Sequence, residues 1–200
     1  MPPKHATLPE IKEKMDWVLA APKDNGRVEL LVVRPAVNQR ETPQQVMFTP
    51  QLGVVGDNWL ADCWKKRPNG ESDPEVQVAI MNARMIEVLT QDKALWPLAG
   101  DQLFVDLDLS ENNLAVGDRL QIGATVLEIT AEPHQGCGKF KQRFGAKAMA
   151  FVNSTTGDAH RLRGVYAKIV REGMVSVLDS ITKLDDKKTG GQEGDRSGND

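Results

Sequence analysis

The sequence is poor in the residues on which small metal-binding and disulfide-rich proteins depend. Its 200 residues include two cysteines and three histidines. Two cysteines cannot form a four-cysteine zinc or iron–sulfur site, and the chain contains neither a CxxC nor an HExxH motif. Any redox chemistry carried out by this chain therefore depends on a bound cofactor or on a partner protein.

An excess of charge of one sign and long hydrophobic runs are also lacking. The chain has 25 Lys and Arg against 28 Asp and Glu, which gives a net charge of −3 and does not indicate a nucleic-acid or anionic-membrane binder. Apolar runs such as residues 28–33 fall far short of the ~20 residues that cross a membrane. Residues 1–10 lack the layout of a secretory signal. We expect a cytoplasmic protein that binds neither nucleic acid nor membrane.

Both ends of the chain differ from its middle. Apolar residues recur at helical spacing from Leu8 to Leu19 and predict one amphipathic helix, which Pro22 and the Asn25-Gly26 pair end. The sequence from Asp185 onward is polar and rich in glycine, as in disordered tails. We therefore divide the chain into a helical extension (residues 1–26), a central domain (residues 27–182) and a disordered tail (residues 183–200).

The central domain consists of short runs rich in Val and Ile, nearly all followed by Pro, Gly or Asn. This pattern is typical of a β-barrel or sandwich core. Two helices are predicted, and residues 59–74, with two tryptophans and no period, predict a long functional or mobile loop. The fold class is mostly β with a few helices. The strands are expected at residues 27–33, 45–48, 53–55, 76–81, 102–109, 119–123, 125–130, 165–173 and 174–179, and the helices at 83–91 and 140–149.

Cys137 is the candidate for a reactive side chain. It stands between Gly136 and Gly138, and the basic residues Lys139, Lys141 and Arg143 follow it. Nearby cations favour the thiolate, which is the form that attacks sulfur or binds a soft metal. The alternative is a small buried side chain beside a solvated basic helix face. Cys63 is expected to be a free or buried thiol. The alternative is a disulfide with Cys137, which the cytoplasm disfavours.

Five segments, in order along residues 27–182, resemble the MOSC domain family, which is named for the C-terminal domain of molybdenum cofactor sulfurase. The resemblance implies a closed or nearly closed β-barrel of the pyruvate-kinase-barrel type that holds the molybdenum cofactor (molybdopterin) or passes sulfur to it. It places Cys137 at the position of the family's cysteine. The segments are GVVGD (53–57), VQVAIMNARMIEVL (76–89), GDQLFVDLDLSENNLAVGDRLQIG (100–123), PHQGCGKF (133–140) and RLRGVYAKIVREGMVSVLDSI (161–181).

The resemblance also implies roles for particular residues. Cys137 is the molybdenum ligand and, with His134 as a proton donor, forms the catalytic pair. Pyridoxal phosphate, which another domain of the sulfurase uses, is considered unlikely because no lysine lies in a Schiff-base context. Each remaining candidate has a structural alternative, namely a turn cap, a strand-end cap or an ion pair, and His134 could simply stack on its loop. Residues 53–58, 82, 102 and 134–139 are expected to converge at one rim of the barrel. The residues expected to bind the cofactor are Asp57, Asn58, Asn82, Gln102, Lys139, Arg143 and Arg163.

Two departures from the family pattern leave three functions open. Gly100, Asp101 and Gln102 stand where many members have Arg-Glu-Asn, and Asn58 and Trp59 stand where His or Arg-His is usual. The leading hypothesis is a molybdoenzyme that reduces N-hydroxylated compounds with electrons from a separate flavin or iron–sulfur reductase. The alternatives are a sulfur carrier with a persulfide on Cys137, and a non-enzymatic binding module whose cofactor pocket has decayed.

Overall fold

The computed structural model describes residues 5–184. Seven strands close into a barrel, in the order β1 (Gly26–Leu31), β10 (Ser180–Leu184), β6 (Arg119–Ile122), β7 (Thr125–Ile129), β8 (Val165–Arg171), β4 (Val78–Asn82) and β5 (Leu103–Asp106). Neighbouring strands are antiparallel except β4 and β5, which are parallel. The short punctuated runs indicated a barrel or sandwich core, and the closed barrel that the family resemblance implied is confirmed.

Strand β4 is buried on both faces, as its continuous apolar sequence requires. Val78 and Ile80 join the core inside the barrel, whereas Met81 belongs to a second core between the barrel and the helices. The alternation follows from the two-residue period of a strand. Strand β4 therefore connects the barrel interior with the helical layer.

A second sheet of three strands lies beside the barrel. It consists of β3 (Gly53–Val54), β2 (Gln45–Thr49) and β9 (Gly173–Ser176), with β2 in the centre and antiparallel to both neighbours. After β3 the chain turns at Gly56, whose φ of +89° lies in the left-handed region that favours glycine. This turn delivers Asp57 to the edge of the barrel.

The helices cover one side of the barrel and enclose the second core. Two predicted helices are each divided. The N-terminal one breaks at Lys14, whose ψ of 2° departs from helical geometry, and the one predicted at residues 140–149 breaks at Gly145, whose φ is +92°. The helices are α1 (Leu8–Glu13), α2 (Met15–Leu19), α3 (Trp59–Asp62), α4 (Ala83–Thr90), α5 (Gly138–Phe144), α6 (Ala146–Val152) and α7 (Thr155–Ala159), with 3₁₀ segments at Pro74–Val76 and Lys93–Ala99.

Strand β10 extends the barrel beyond the boundary drawn from the sequence. Lys183 pairs with Leu120 and Leu184 with Arg119, so residues 183 and 184 belong to the barrel and not to the tail. The rest of the predicted tail, residues 185–200, lies outside the described residues. The helices between residues 5 and 184 are all too short or too polar to span a bilayer.

Candidate functional site

The loop that carries Cys137 connects β7 to α5 and is held by one side chain. The Gly136 amide donates to Asn153 Oδ1 at 2.7 Å, and Asn153 Nδ2 donates back to the Gly136 carbonyl at 3.0 Å. A Cβ on Gly136 would lie 3.2 Å from this same Oδ1 and from Met149. The glycine therefore permits the close approach of Asn153 that fixes the loop.

Cys137 itself is exposed, as expected for a residue flanked by glycines. It precedes the first residue of α5 in an extended conformation. A Cβ on Gly138 would meet no heavy atom within 4 Å, so the space beside the thiol is open. The other cysteine, Cys63, is buried and free. The Cys137 thiol is therefore accessible from solvent, whereas the Cys63 thiol is buried.

Asp57 is fully buried in a fork-like pair with Arg34, a residue that carried no sequence signal. Arg34 Nε and Nη2 donate to the two carboxylate oxygens at 2.8 Å each, and the Arg34 amide donates to Oδ2 at 3.0 Å. Burial alone lowers the pKa of the Arg34 guanidinium, but the hydrogen bonds and charge of Asp57 outweigh it, and the pKa lies above its usual value. The carboxylate of Asp57 is therefore occupied by the protein itself.

A second buried pair joins Arg163 to Asp101. Arg163 Nη1 lies 2.8 Å from both oxygens of Asp101, and Nη2 donates to the Ala99 carbonyl at 3.0 Å. The guanidinium also lies 4.9 Å from the centre of the Phe140 ring. Arg163 was predicted to bind an anion, but in this arrangement Asp101 already balances its charge.

His134 packs against this pair. Its Nε2 atom is 3.6 Å from Asp101 Oδ1, and its ring centre is 4.2 Å from that of Tyr166. Burial, followed by the positive charges of Arg163 and Arg34, lowers the pKa of His134 well below 6.5, so the imidazole is neutral at pH 7. The side chain is 4% exposed. A proton donor for a substrate at the surface needs more access than this position gives.

Gln102 and Asn82 lie at opposite ends of the parallel strand pair. Gln102 precedes β5, accepts from the Ala79 amide at 2.8 Å, and lies 3.4 Å from Asp57 Oδ1. Asn82 ends β4, where its Oδ1 accepts from the Met85 amide and caps helix α4. The structure therefore joins Gln102 to Asp57 and places Asn82 elsewhere, in the capping role that was the alternative.

Positive charge accumulates around the 3₁₀ segment Lys93–Ala99. Arg143 donates to the Leu98 carbonyl at 2.6 Å, and Arg40 donates to the Pro97 carbonyl at 3.2 Å. In residues 5–184 neither guanidinium forms an ion pair with a carboxylate. Burial, and then the charges of Arg143 and Arg34, lower the pKa of Arg40. Within the described residues the two arginines thus lie near each other with carbonyl and amide oxygens, and no carboxylate, as their direct partners.

The two remaining candidates are Lys139, which is exposed, and Asn58, which is partly buried. Lys139 is exposed on the first turn of α5. Asn58 precedes α3, and its amide donates to the Arg34 carbonyl at 2.9 Å, while its side chain forms no capping hydrogen bond. Between residues 5 and 184, nowhere do three His, Cys, Asp or Glu side chains come together as a metal-binding group. Five residues of this region were not predicted as site residues from the sequence. They are Arg34, Arg40, Asp101, Asn153 and Tyr166.

Comparison with known proteins supports the architecture and identifies the family. The chain resembles the solved structures of YuaD from Bacillus subtilis (TM-score 0.55, 16% identity, covering 80% of this chain and 95% of that one) and YiiM from Escherichia coli (TM-score 0.52, 18% identity, covering 80% and 70%). At this identity the likeness concerns the fold alone.

Sequence comparison adds two findings. The uncharacterized protein YflK from Bacillus subtilis (strain 168) is 32% identical over 68 residues, which span 34% of this chain and 28% of YflK. The model of the MOSC domain matches residues 77–182, more than half of the chain, including the parallel strand pair, the Cys137 loop and Arg163. The chain therefore belongs to the MOSC domain family.

Proposed function

We propose that this chain holds the molybdenum cofactor at the Cys137 loop and reduces N-hydroxylated compounds with electrons from a separate flavin or iron–sulfur reductase. The observation that carries the proposal is the exposed Cys137 thiol. Asn153 holds the backbone before it at Gly136, and the space beside Gly138, which follows it, is open. A thiolate is a soft ligand that suits a metal already held by sulfur. When bound, the cofactor would supply two-electron chemistry at molybdenum.

The charged residues fit an anionic cofactor. Arg40 and Arg143 are held by neutral oxygens of residues 38–39 and 97–98, which leaves their positive charge for a phosphate. Lys139 is exposed close to Cys137 in the sequence and adds a mobile cation. Arg163 and Arg34 are already paired with Asp101 and Asp57. We therefore assign the phosphate to Arg40 and Arg143, with Lys139 in support.

Asn153 and His134 act on the loop and not on the substrate. Asn153 fixes Gly136, and the neutral His134 packs between Asp101 and Tyr166, so both orient the backbone that presents Cys137. The reaction breaks the N–O bond of the substrate. Two electrons from the reductase and two protons from solvent convert N–OH to N–H and water. Because Cys137 is exposed, solvent supplies these protons without a buried relay.

Molybdenum content tests the proposal. Wild type, Cys137→Ala, Cys63→Ala and Arg143→Gln are expressed in a host that makes the cofactor, and molybdenum per polypeptide is measured after purification. We expect Cys137→Ala to lose the metal and Arg143→Gln to retain less. Cys63→Ala should match wild type, because this thiol is buried away from solvent. Reductase-coupled turnover of an N-hydroxylated compound should follow the metal content.

Two results would favour the other functions. A purified protein without molybdenum, whose Cys137 gains the mass of one sulfur atom from a sulfur donor, would indicate a sulfur carrier. A protein that gains neither metal nor sulfur, and whose Cys137 is alkylated no faster than Cys63, would leave only a binding module with a decayed pocket. Either result would overturn the reductase proposal.

A further inference from the structure

A cavity of about 360 Å³ opens between residues 130–135, which follow β7, and residues 157–165, which end at the first residue of β8. Its volume lies at the lower end of the range for small-molecule pockets, ~300–1,000 Å³. On the Cys137 loop the lining stops at Gln135, so the thiol takes no part in the cavity. The cavity therefore has room for a small ligand at a place that the proposed reductase activity does not use.

Two residues that line the cavity each have a buried nitrogen atom without a hydrogen-bond partner in residues 5–184, namely His134 Nδ1 and Arg163 Nε. Buried polar atoms in native proteins are nearly always satisfied, so these two need a partner. Because Asp101 Oδ1 lies 3.6 Å from His134 Nε2, the proton of the neutral ring belongs on Nε2, and Nδ1 is an acceptor. Arg163 Nε is a donor, and Asp101 already balances the charge of its guanidinium. The two atoms therefore suit an uncharged group that both donates and accepts, such as a carboxamide.

Arg161 adds a cation to the wall of the same cavity. Its Nη1 atom donates to the Leu114 carbonyl at 2.7 Å and to the Leu109 carbonyl at 3.5 Å, and no carboxylate of the described residues forms an ion pair with it. Burial lowers the pKa of Arg161, and the charges of Glu111 and Asp118 offset only part of this effect. The backbone φ of Arg161 is +46°, in the left-handed region that few residues other than glycine adopt. The fold thus holds a guanidinium whose charge remains for an anionic group.

Two exposed carboxylates, those of Glu111 and Asp158, line the cavity as well. Between residues 5 and 184, neither carboxylate forms a hydrogen bond or an ion pair. Glu111 is near enough to raise the pKa of Arg161, but the two side chains do not form a direct ion pair. Charges of opposite sign that line one cavity without pairing are complementary to a ligand that carries both signs.

We propose that this cavity binds a zwitterionic amino acid whose side chain is polar and uncharged. Arg161 binds the α-carboxylate, and Glu111 and Asp158 bind the ammonium group at the exposed side of the cavity. The side-chain amide donates to His134 Nδ1 and accepts from Arg163 Nε. A simple anion fits less well because the two carboxylates repel it, and a simple cation fits less well because Arg161 repels it.

Three small molecules that differ by one group test the inference, with binding to the full chain measured by isothermal titration calorimetry. L-Glutamine carries the ammonium group, the carboxylate and the amide. Glutaramate lacks the ammonium group, and L-norvaline has a methyl group in place of the amide. We expect L-glutamine to bind about tenfold more tightly than either analogue, because each analogue leaves part of the cavity's polar lining without a partner.

Three variants locate the binding site. Arg161→Gln should weaken L-glutamine binding about tenfold, and Glu111→Gln, at a more exposed position, about threefold. Arg27→Gln removes an exposed arginine that pairs with Glu29 outside the cavity, and it should leave the affinity unchanged. Circular dichroism checks that each variant is folded. If Arg161→Gln does not fold, Glu111→Gln and the two analogues decide the question.

Two results would overturn the inference. Wild type that binds no L-glutamine at millimolar concentration would show that the cavity is not an amino-acid site. An affinity for L-glutamine that neither cavity variant lowers, or that glutaramate and L-norvaline equal, would show that the paired charges and the buried nitrogens do not recognise the ligand. Because none of these measurements needs molybdenum, the reductase or Cys137, their outcome is separate from that of the proposed function.

Discussion

The buried Arg163–Asp101 pair gives a prediction whose magnitude follows from the geometry. The Asp101 side chain is completely buried and that of Arg163 is 7% exposed, with 2.8 Å between their charged atoms. Removing one partner leaves a buried charge without compensation, which costs about 3–5 kcal/mol. We therefore expect Asp101→Leu and Arg163→Met each to lower the free energy of unfolding by about this amount. For a domain of this size that corresponds to a melting temperature roughly 6–20 °C lower.

The double variant Asp101→Leu with Arg163→Met supplies the control. It removes both charges and fills the space with apolar atoms, a change that is often neutral or stabilising in buried pairs. Urea denaturation of the single and double variants measures the coupling between the two positions. We expect the double variant to be more stable than either single variant. If the double variant loses as much free energy of unfolding as the two single variants together, the two charges do not stabilise each other.

Two further predictions concern His134 and two glycines. The folded-state pKa of His134 is depressed below the unfolded value of 6.5, so the folded protein binds fewer protons, and stability falls as the pH decreases below about 6.5. Urea denaturation between about pH 7 and pH 5 should show a smaller loss in His134→Gln than in wild type, and equal losses would refute this role. Gly164→Ala places a Cβ 2.1 Å from the Ile80 carbonyl oxygen at a φ of +113° and should cost at least about 3 kcal/mol. Gly138→Ala, which enters open space, should stay within about 1 kcal/mol of wild type by thermal unfolding.

Most strands of the barrel could be predicted because their signals are local, whereas the choice of a closed barrel came from the family resemblance. Each predicted strand shows a two-residue period or a short apolar run, and Gly, Pro or Asn marks the end of nearly every one. Strand β10 was missed because its sequence, SITKL, is short and half polar, and it pairs with β6, nearly sixty residues earlier in the chain. The break between α5 and α6 was missed although Gly145 carries the usual signal for it. Local patterns thus identify elements better than they fix their ends.

The candidate site was only partly predictable because its contacts join distant parts of the chain. Cys137 was identified because its two glycine neighbours are visible in the sequence. Asn153, which fixes the loop, stands 17 residues after Gly136, and no local pattern links the two residues. Arg34 reaches Asp57 over 23 residues and the Gly100 carbonyl over 66. Asn82 and Gln102 both flank strands, and only the parallel register of β4 and β5 shows that they lie at opposite ends.

The departure at residues 100–102 bears on how this chain would bind an anion. The family pattern has an Arg-Glu-Asn triplet at these positions. This chain instead has Asp101, whose buried carboxylate forms an ion pair with Arg163. A loss of cationic character at this position requires compensation if a phosphate is still to be held. In the function proposed above, Arg40 and Arg143 supply this compensation, because each donates to neutral oxygens close to the same 3₁₀ segment. The change at residues 100–102 is therefore more consistent with an anion site that has moved to Arg40 and Arg143 than with one that has been lost.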